Sequence, residues 1–410
     1  MRAVLTEFLL ATTAASGLTA CDGGTSLHGD GGPAETSPPP VPDIASGGWR
    51  DSGTPWTPPG SVDSCASLNW TLFDILPTVD SLYAAWGWTV FDPSPGPSDV
   101  LYCSVLRNTG SGWMEYLRSD CSLEGGVGSG CESCVERLVG SSSGGSVVRT
   151  WGGSHPPLGL LDADGVHLWP EDVWQLSDPF VVTDHLAYAV LGGTDSKVVR
   201  FDGSAWTPLP EILPADLPYQ LVWQVWADEN DIWVAGDRGT VLSLGDAGWQ
   251  VHVLPTLEPI TALWGSDGND VWVGDKGGEL FHWDGGTWET VSWPNLALER
   301  GDPCGEPSYV LGIWGSEGVL YVHTGRQLTR RSSAGDFAVL GYWPGTAGGS
   351  GGCVSGLRII RMRGTSAVEL FLAAVEPGPE DAVLEPADDG ESCVSRPFVL
   401  FWDGSVFHWI

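Results

Sequence analysis

The chain has 410 residues and a formal net charge of −34, with 18 basic residues against 52 acidic ones. Nucleic acid must be met by clustered Lys and Arg that displace counterions from phosphates. This balance therefore excludes a nucleic-acid partner and disfavours anionic lipid surfaces. What remains is a solvated, self-repelling surface on a chain long enough for two or three ordinary domains or one large repetitive one.

At the N-terminus Arg2 precedes an apolar, small-residue run from Phe8 to Leu18, which closes in Leu18-Thr19-Ala20-Cys21. The run is too short to span a bilayer and has the form of a secretory h-region, although the acidic Glu7 is unusual just before one. The Leu-Thr-Ala-Cys segment resembles the lipobox of bacterial lipoproteins. That resemblance implies a signal peptide over 1–20, lipidation of Cys21, and export to a bacterial membrane, periplasmic or at the cell surface. Asp22 stands where some envelope systems read a signal for inner-membrane retention. Residues 21–62 are Gly, Pro, Ser, Thr and Asp with almost no apolar pattern, so they cannot bury enough surface to offset ordering and read as a disordered tether. About 40 such residues reach roughly 35 Å by flexible-chain scaling.

The remainder, 63–410, is organised around Ile260 to Trp293. Four apolar runs there (Ile260–Trp264, Val271–Val273, Leu280–Trp283 and Trp288–Trp293) alternate with Ser-Asp-Gly-Asn, Asp-Lys-Gly-Gly and Asp-Gly-Gly turns. This predicts a four-stranded antiparallel meander, which cannot bury both faces alone. The unit recurs. Trp226 matches Trp264, Asp231-Ile232-Trp233 matches Asp270-Val271-Trp272, and Trp249 matches Trp288, at offsets of 38 and 39 residues. Further copies start at Trp314-Gly315, Trp151-Gly152 and Trp86-Gly87. Aromatics marking the last strand of each unit are Trp113, Trp174, Trp206, Trp249, Trp288, Phe337 and Phe407, which gives seven units. Asp202-Gly203, Asp284-Gly285 and Asp403-Gly404 supply hairpin-turn chemistry just before three of them.

Repeats of about 40 residues with four strands each have the period of β-propeller blades, so the expected fold is all-β, one propeller domain of seven four-stranded blades. The Trp- and Gly-rich units resemble those of kelch- and Asp-box (BNR)-like propellers of bacterial secreted proteins and lipoproteins. The Asp-box itself is not met, because Asp284-Gly-Gly286-Thr-Trp288 is one residue short of it. Strand alternation puts the turns after first and third strands on one face, where they are short. The other face receives the long pieces 119–146, 294–308, 344–356 and 377–397. Binding residues concentrate on variable loops held by a rigid scaffold, so a ligand is expected on this second face. The candidates there are Asp302, Glu306, Trp343, Asp388, Asp389 and Glu391. Asn69 to Leu76 is also strand-like and is expected to add to the last blade as a closure.

Nine cysteines less Cys21 leave eight, an even number suited to disulfides in an exported protein: Cys65, Cys103, Cys121, Cys131, Cys134, Cys304, Cys353 and Cys393. Five precede the middle of the chain and three follow it, so full oxidation requires a bridge between the halves, which a closed ring permits. The first-choice pairs are Cys65 with Cys393 and Cys304 with Cys353. Cys131-Glu-Ser-Cys134 lies outside any helical pattern and reads as structural, not redox.

Gly-x-Ser-x-Gly matches at 140–144 and 348–352 fall in Gly/Ser runs without the strand and helix that a nucleophile elbow needs. The eight histidines show no ligand spacing, so neither a metal nor a cofactor is expected. Asp162-Ala-Asp164 and Asp228-Glu-Asn-Asp231 read as turns that satisfy their own backbone. Most of the 23 tryptophans occupy framework positions, leaving Trp223, Trp293, Trp343 and Trp409 to stack on sugar. The sequence thus favours a monomeric, non-enzymatic, membrane-tethered binding or scaffold propeller whose partner is an envelope or extracellular protein, or a surface glycan. A lectin is the first alternative. A glycosidase or lyase using the central channel is the second, and it requires two carboxylates at catalytic separation.

Overall fold

The computed structural model describes the strands between 68 and 409, a two-residue strand at 19–20, and most of the joining turns. Outside it lie 1–18, 21–67, 79–80, 91–99, 109–112, 123–133, 141–145, 152–157, 163–164, 169–178, 192–196, 211–220, 246–247, 301–307, 348–352, 355–356, 377–392 and a few single positions. Among the described residues, seven four-stranded antiparallel sheets follow one another. They span 68–122, 134–168, 180–208, 222–253, 260–291, 312–342 and 358–409, and are numbered one to seven here. Each is a meander whose strands lie side by side in chain order. The first strand of each sheet lies beside the first strand of the next, and Arg358–Ser366 of sheet seven returns to Leu68–Pro77 of sheet one. Meanders joined in such a ring form a β-propeller, with first strands innermost.

Local chemistry explains both the turns and the twist. At Asp202-Gly203, Asp284-Gly285 and Asp403-Gly404 the glycine has a φ of 90°, 89° and 91°, a region that costs other residues energy. The preceding aspartate accepts backbone N–H bonds from two and three residues ahead, as in Asp403 with Ser405 and Val406 at 2.9 Å each. Innermost strands are bulged in every sheet but the sixth: between Leu72 and Asp74, Val135 and Arg137, Val181 and Thr183, Val222 and Gln224, Ile260 and Ala262, and Ile359 and Arg361. A bulge at this point increases strand twist.

The core is a series of layers between sheets. Tyr188, Val190 and Val198 of sheet three meet Val225, Val234 and Leu242 of sheet four. Trp233 and Ala235 meet Val271, Val273 and Phe281 between sheets four and five. The ring is closed by Leu72, Ile75, Leu82 and Ala84 of sheet one against Phe371, Ala373, Val399 and Phe401 of sheet seven. Asp74, fully buried, adds polar closure. Its Oδ2 accepts the Leu138 N–H of sheet two at 3.2 Å, while Arg361 Nε of sheet seven stands 3.9 Å from Oδ1.

Three expectations need correction. Asn69 to Leu76 is not an added strand of the last blade: it lies within Leu68–Pro77, the innermost strand of sheet one, hydrogen-bonded to Leu82–Val90 and touching sheet seven through side chains. Trp86-Gly87 and Trp151 belong to second strands, not first ones, so sheets one and two each begin one strand earlier than the repeat suggests. The supposed loop 119–146 contains the end of Trp113–Ser122, all of Cys134–Gly140 and the start of Ser146–Trp151, leaving only 123–133 between the sheets. Trp174 lies outside the described residues, whereas the other last-strand aromatics all fall on fourth strands.

Cys103 is buried and disulfide-bonded. The other cysteine side chains, and with them the pairs Cys65–Cys393 and Cys304–Cys353, lie outside the described residues.

Candidate functional site

The two faces of the ring differ in construction. Turns after first and third strands are short and acidic: Asp228, Glu229 and Asp231 in sheet four, Asp267 and Asp270 in sheet five. Most of these carboxylates are engaged within their own turns. Asp228 Oδ1 accepts the N–H groups of Asn230 and Asp231 at 2.7 Å each, and Asp267 Oδ1 accepts that of Asn269 at 2.7 Å. In Asp202 such bonds from Ala205 and Ser204 hold the carboxyl down to about 2. Asp231 is the exception: burial, and then the charges of Asp228 and Asp267, push its carboxyl up.

The opposite face carries the longer connections, and its described part is knitted across sheets. The buried Asp275 accepts the Thr256 hydroxyl at 2.8 Å and the Glu279 N–H at 2.8 Å, tying the 254–259 connection to the 275–279 turn. Asn295 donates to the Gly278 and Ser308 carbonyls, and its Oδ1 accepts the Leu298 N–H at 3.2 Å, which starts the short helix Leu296–Arg300. Gln327 accepts the Leu296 N–H at 2.8 Å and donates to the Pro294 carbonyl. The resulting surface is continuous from sheet four to sheet six. It exposes Val253, Leu257, Leu298 and Leu311, with Leu257 at 83% and Leu298 at 58%. The carboxylates of Glu258, Glu279 and Glu299 share this surface, are exposed, and make no hydrogen bond or ion pair among the described residues. Lys276 beside them rests its ammonium 5.3 Å from the Tyr309 ring centre.

Near the short-turn face, sheet five holds the densest polar cluster among the described residues that resembles catalytic equipment. His282 Nε2 is 2.7 Å from Asp270 Oδ1 and Nδ1 is 3.4 Å from Glu289 Oε1, with the Trp272 ring stacked on the imidazole at 4.1 Å. Ser266 donates to the other oxygen of Asp270 at 2.6 Å. Burial opposes a charge on His282, but the bonds to Asp270 and Glu289 and their charges outweigh it and raise the imidazole. A nucleophile triad needs the hydroxyl on the histidine. Here the hydroxyl sits on the aspartate and both ring nitrogens face carboxylates, so the cluster clamps the second, third and fourth strands together.

Of the sequence candidates, Asp302, Glu306, Asp388, Asp389 and Glu391 lie outside the described residues. Trp343 is buried, its ring against Gly341 and 6.4 Å from that of Phe407. Trp223 donates its indole N–H to the Ile260 carbonyl and Trp293 to that of Gly278. Nothing is described of the Trp409 side chain. The sequence reading missed Val253, Leu257, Leu298 and Leu311. Leu257-Glu258 and Leu298-Glu299 are its legible trace, apolar residues in polar connections between predicted units.

No protein-family model matches the chain, and no curated protein matches it. Solved structures do. YCF48 from Cyanidioschyzon merolae is similar with a TM-score of 0.42 and 13% identity, over 76% of this chain and 97% of that one. U3-55K gives 0.46 and 12%, over 75% and 91%. The computationally designed Ika8 protein gives 0.47 and 13%, over 85% and 98%. Likeness at this identity concerns the fold alone.

Proposed function

We propose that the chain is a non-enzymatic binding or scaffold propeller of the bacterial cell envelope, built of seven blades of the broad kelch- and Asp-box-like kind. In this reading residues 1–20 are a signal peptide, Cys21 carries the lipid anchor, 21–62 is the tether, and 63–410 presents a ligand on the long-loop face. The observation that carries it is the uneven distribution of exposed large apolar side chains. Of the six among the described residues, Val253, Leu257, Leu298 and Leu311 share that face and only Met114 and Val368 lie opposite. Clustered exposed apolar residues on a strongly charged protein mark an interaction surface. The disulfide at Cys103 is in keeping with an oxidising compartment.

The partner is a protein in preference to a glycan. Three of the four tryptophans suited to stacking on sugar are engaged in packing or in bonds to the backbone. The polar cluster of sheet five, with both nitrogens of His282 facing carboxylates, favours a structural role over catalysis.

A glycan array and an envelope pull-down on the oxidised full chain, run in parallel, test this. The expected result is a protein retained specifically and a silent array. Saturable binding to one sugar class, with no protein retained, overturns it in favour of a lectin.

A further inference from the structure

Three features of the long-loop face converge on one ligand chemistry. First, its exposed leucines lie in connections that touch. The Glu258 side chain approaches Gly277, and Gly278 is bonded to Asn295, the residue that starts the helix bearing Leu298. Leu311 follows on the strand entering sheet six, against Gly325. Second, each of the two most exposed leucines is followed by an exposed glutamate, Leu257 by Glu258 and Leu298 by Glu299, with Glu279 between them. Third, among the described residues these carboxylates accept no hydrogen bond from a backbone turn, unlike Asp228 and Asp267 of the opposite face.

We propose that the surface formed by Val253, Leu257, Leu298 and Leu311 docks a basic and apolar peptide segment of a partner protein, its Lys or Arg side chains held by Glu258, Glu279 and Glu299. The proposal rests on the long-loop face being the ligand face and adds the chemical class of the partner. Charge complementarity selects that class. A chain of net charge −34 attracts cationic segments from a distance and repels acidic ones. Attraction alone is diffuse, and the acidic short turns share in it. The exposed leucines fix where the segment settles, because apolar contact forms only there. Short peptides docked on a rigid scaffold commonly divide the work this way, apolar anchors giving affinity and charges giving orientation and rate.

The test uses the oxidised full chain and three fluorescent synthetic peptides of equal length: alternating Lys-Leu, alternating Lys-Ser and alternating Glu-Leu. Binding is read by anisotropy at physiological salt. The expected order is Lys-Leu tightest, with Lys-Ser and Glu-Leu weaker by about tenfold or more, a separation of roughly 1.4 kcal/mol. The exposed double variant Leu257→Ser/Leu298→Ser should lose about tenfold for Lys-Leu, and Glu258→Gln/Glu299→Gln a similar amount. Glu229→Gln, on the short-turn face, should change nothing. Equal binding of Lys-Ser and Lys-Leu, insensitive to the leucine variants, overturns the proposal as undirected charge attraction. Glu-Leu binding as tightly as Lys-Leu, with sensitivity to the leucine variants kept, overturns the basic class but leaves the ligand face standing. Sensitivity to Glu229→Gln alone overturns both. No saturable Lys-Leu binding up to about 1 mM, the weak end of specific association, also overturns the proposal.

Discussion

The indole of Trp264 lies against the α-carbon of Gly315 in the next sheet: a β-carbon built on Gly315 would stand 2.7 Å from the ring's Cη2. The relationship holds at three successive junctions, from sheet four to sheet seven. Trp226 covers Gly265 and Trp314 covers Gly364, with corresponding distances of 2.9 and 2.3 Å. Trp264-Gly265 and Trp314-Gly315 stand side by side in sequence because each of these two innermost strands presents a ring to the next sheet and a bare backbone to the previous one.

Gly315→Ala therefore overpacks an inter-sheet contact that also includes the Val319 carbonyl, and should cost about 1–3 kcal/mol in chemical denaturation. Gly245→Ala is the matched control. A β-carbon there meets nothing within 4 Å, and the expected change is within about 0.5 kcal/mol. Equal effects at the two sites would contradict the packing account.

Asp74→Ala should cost about 3–5 kcal/mol, because it leaves the Leu138 N–H and the half-buried Arg361 guanidinium without their carboxylate. Asp74→Asn keeps an acceptor oxygen and should cost less. Urea midpoints of the two variants check the order.

Two histidines should give stability opposite dependences on pH. The His282 imidazole is raised in the folded chain, its burial outweighed by Asp270 and Glu289. Its contribution is thus complete below the unfolded value near 6.5 and is lost as pH rises through the higher folded value. His323 is pushed down to about 3, by burial and then by the charge of Arg363. Folding then keeps it neutral while the unfolded chain takes a proton, so stability is lost as pH falls from about 6.5 towards about 3. Histidine ring NMR titration, with His282→Gln and His323→Gln for assignment, should show one resonance titrating above the random-coil value. The other should stay neutral until the fold is lost.

Arg238 adopts a φ of 51° in the second-to-third-strand turn of sheet four, where side-chain-bearing residues pay for close approach of Cβ to the backbone. Arg238→Gly should raise stability by about 1 kcal/mol, as measured by thermal or urea unfolding. A loss instead would mean that contacts of the arginine side chain hold the turn.

The repeat was legible where the tryptophan ruler lies on innermost strands. Trp226, Trp264 and Trp314 fix the frames of sheets four to six, and Phe407 fixes that of sheet seven. In sheets one and two the innermost strands carry Leu72, Ile75 and Leu138, with no tryptophan at that position. The ruler fell on second strands instead and shifted the frame. The long-loop face was legible as a face because strand alternation alone assigns loops to sides. Its docking residues were not. An isolated Leu257 or Leu298 in a polar connection is indistinguishable from a core residue until burial is known. Off-frame tryptophans misled for the converse reason: Trp223 and Trp293 look free in sequence, yet their indole N–H groups satisfy carbonyls that the ring geometry brings to them.

The most direct test of a ligand on the long-loop face is site-specific photocrosslinking in intact cells, with the photoreactive residue at Leu257, Leu298, Glu229 or Val368 of the full chain. Capture of the same partner from positions 257 and 298, with none from 229 and 368, is the predicted result. Capture from 229 or 368 but not from 257 and 298 would contradict it and move the binding surface to the acidic short-turn face.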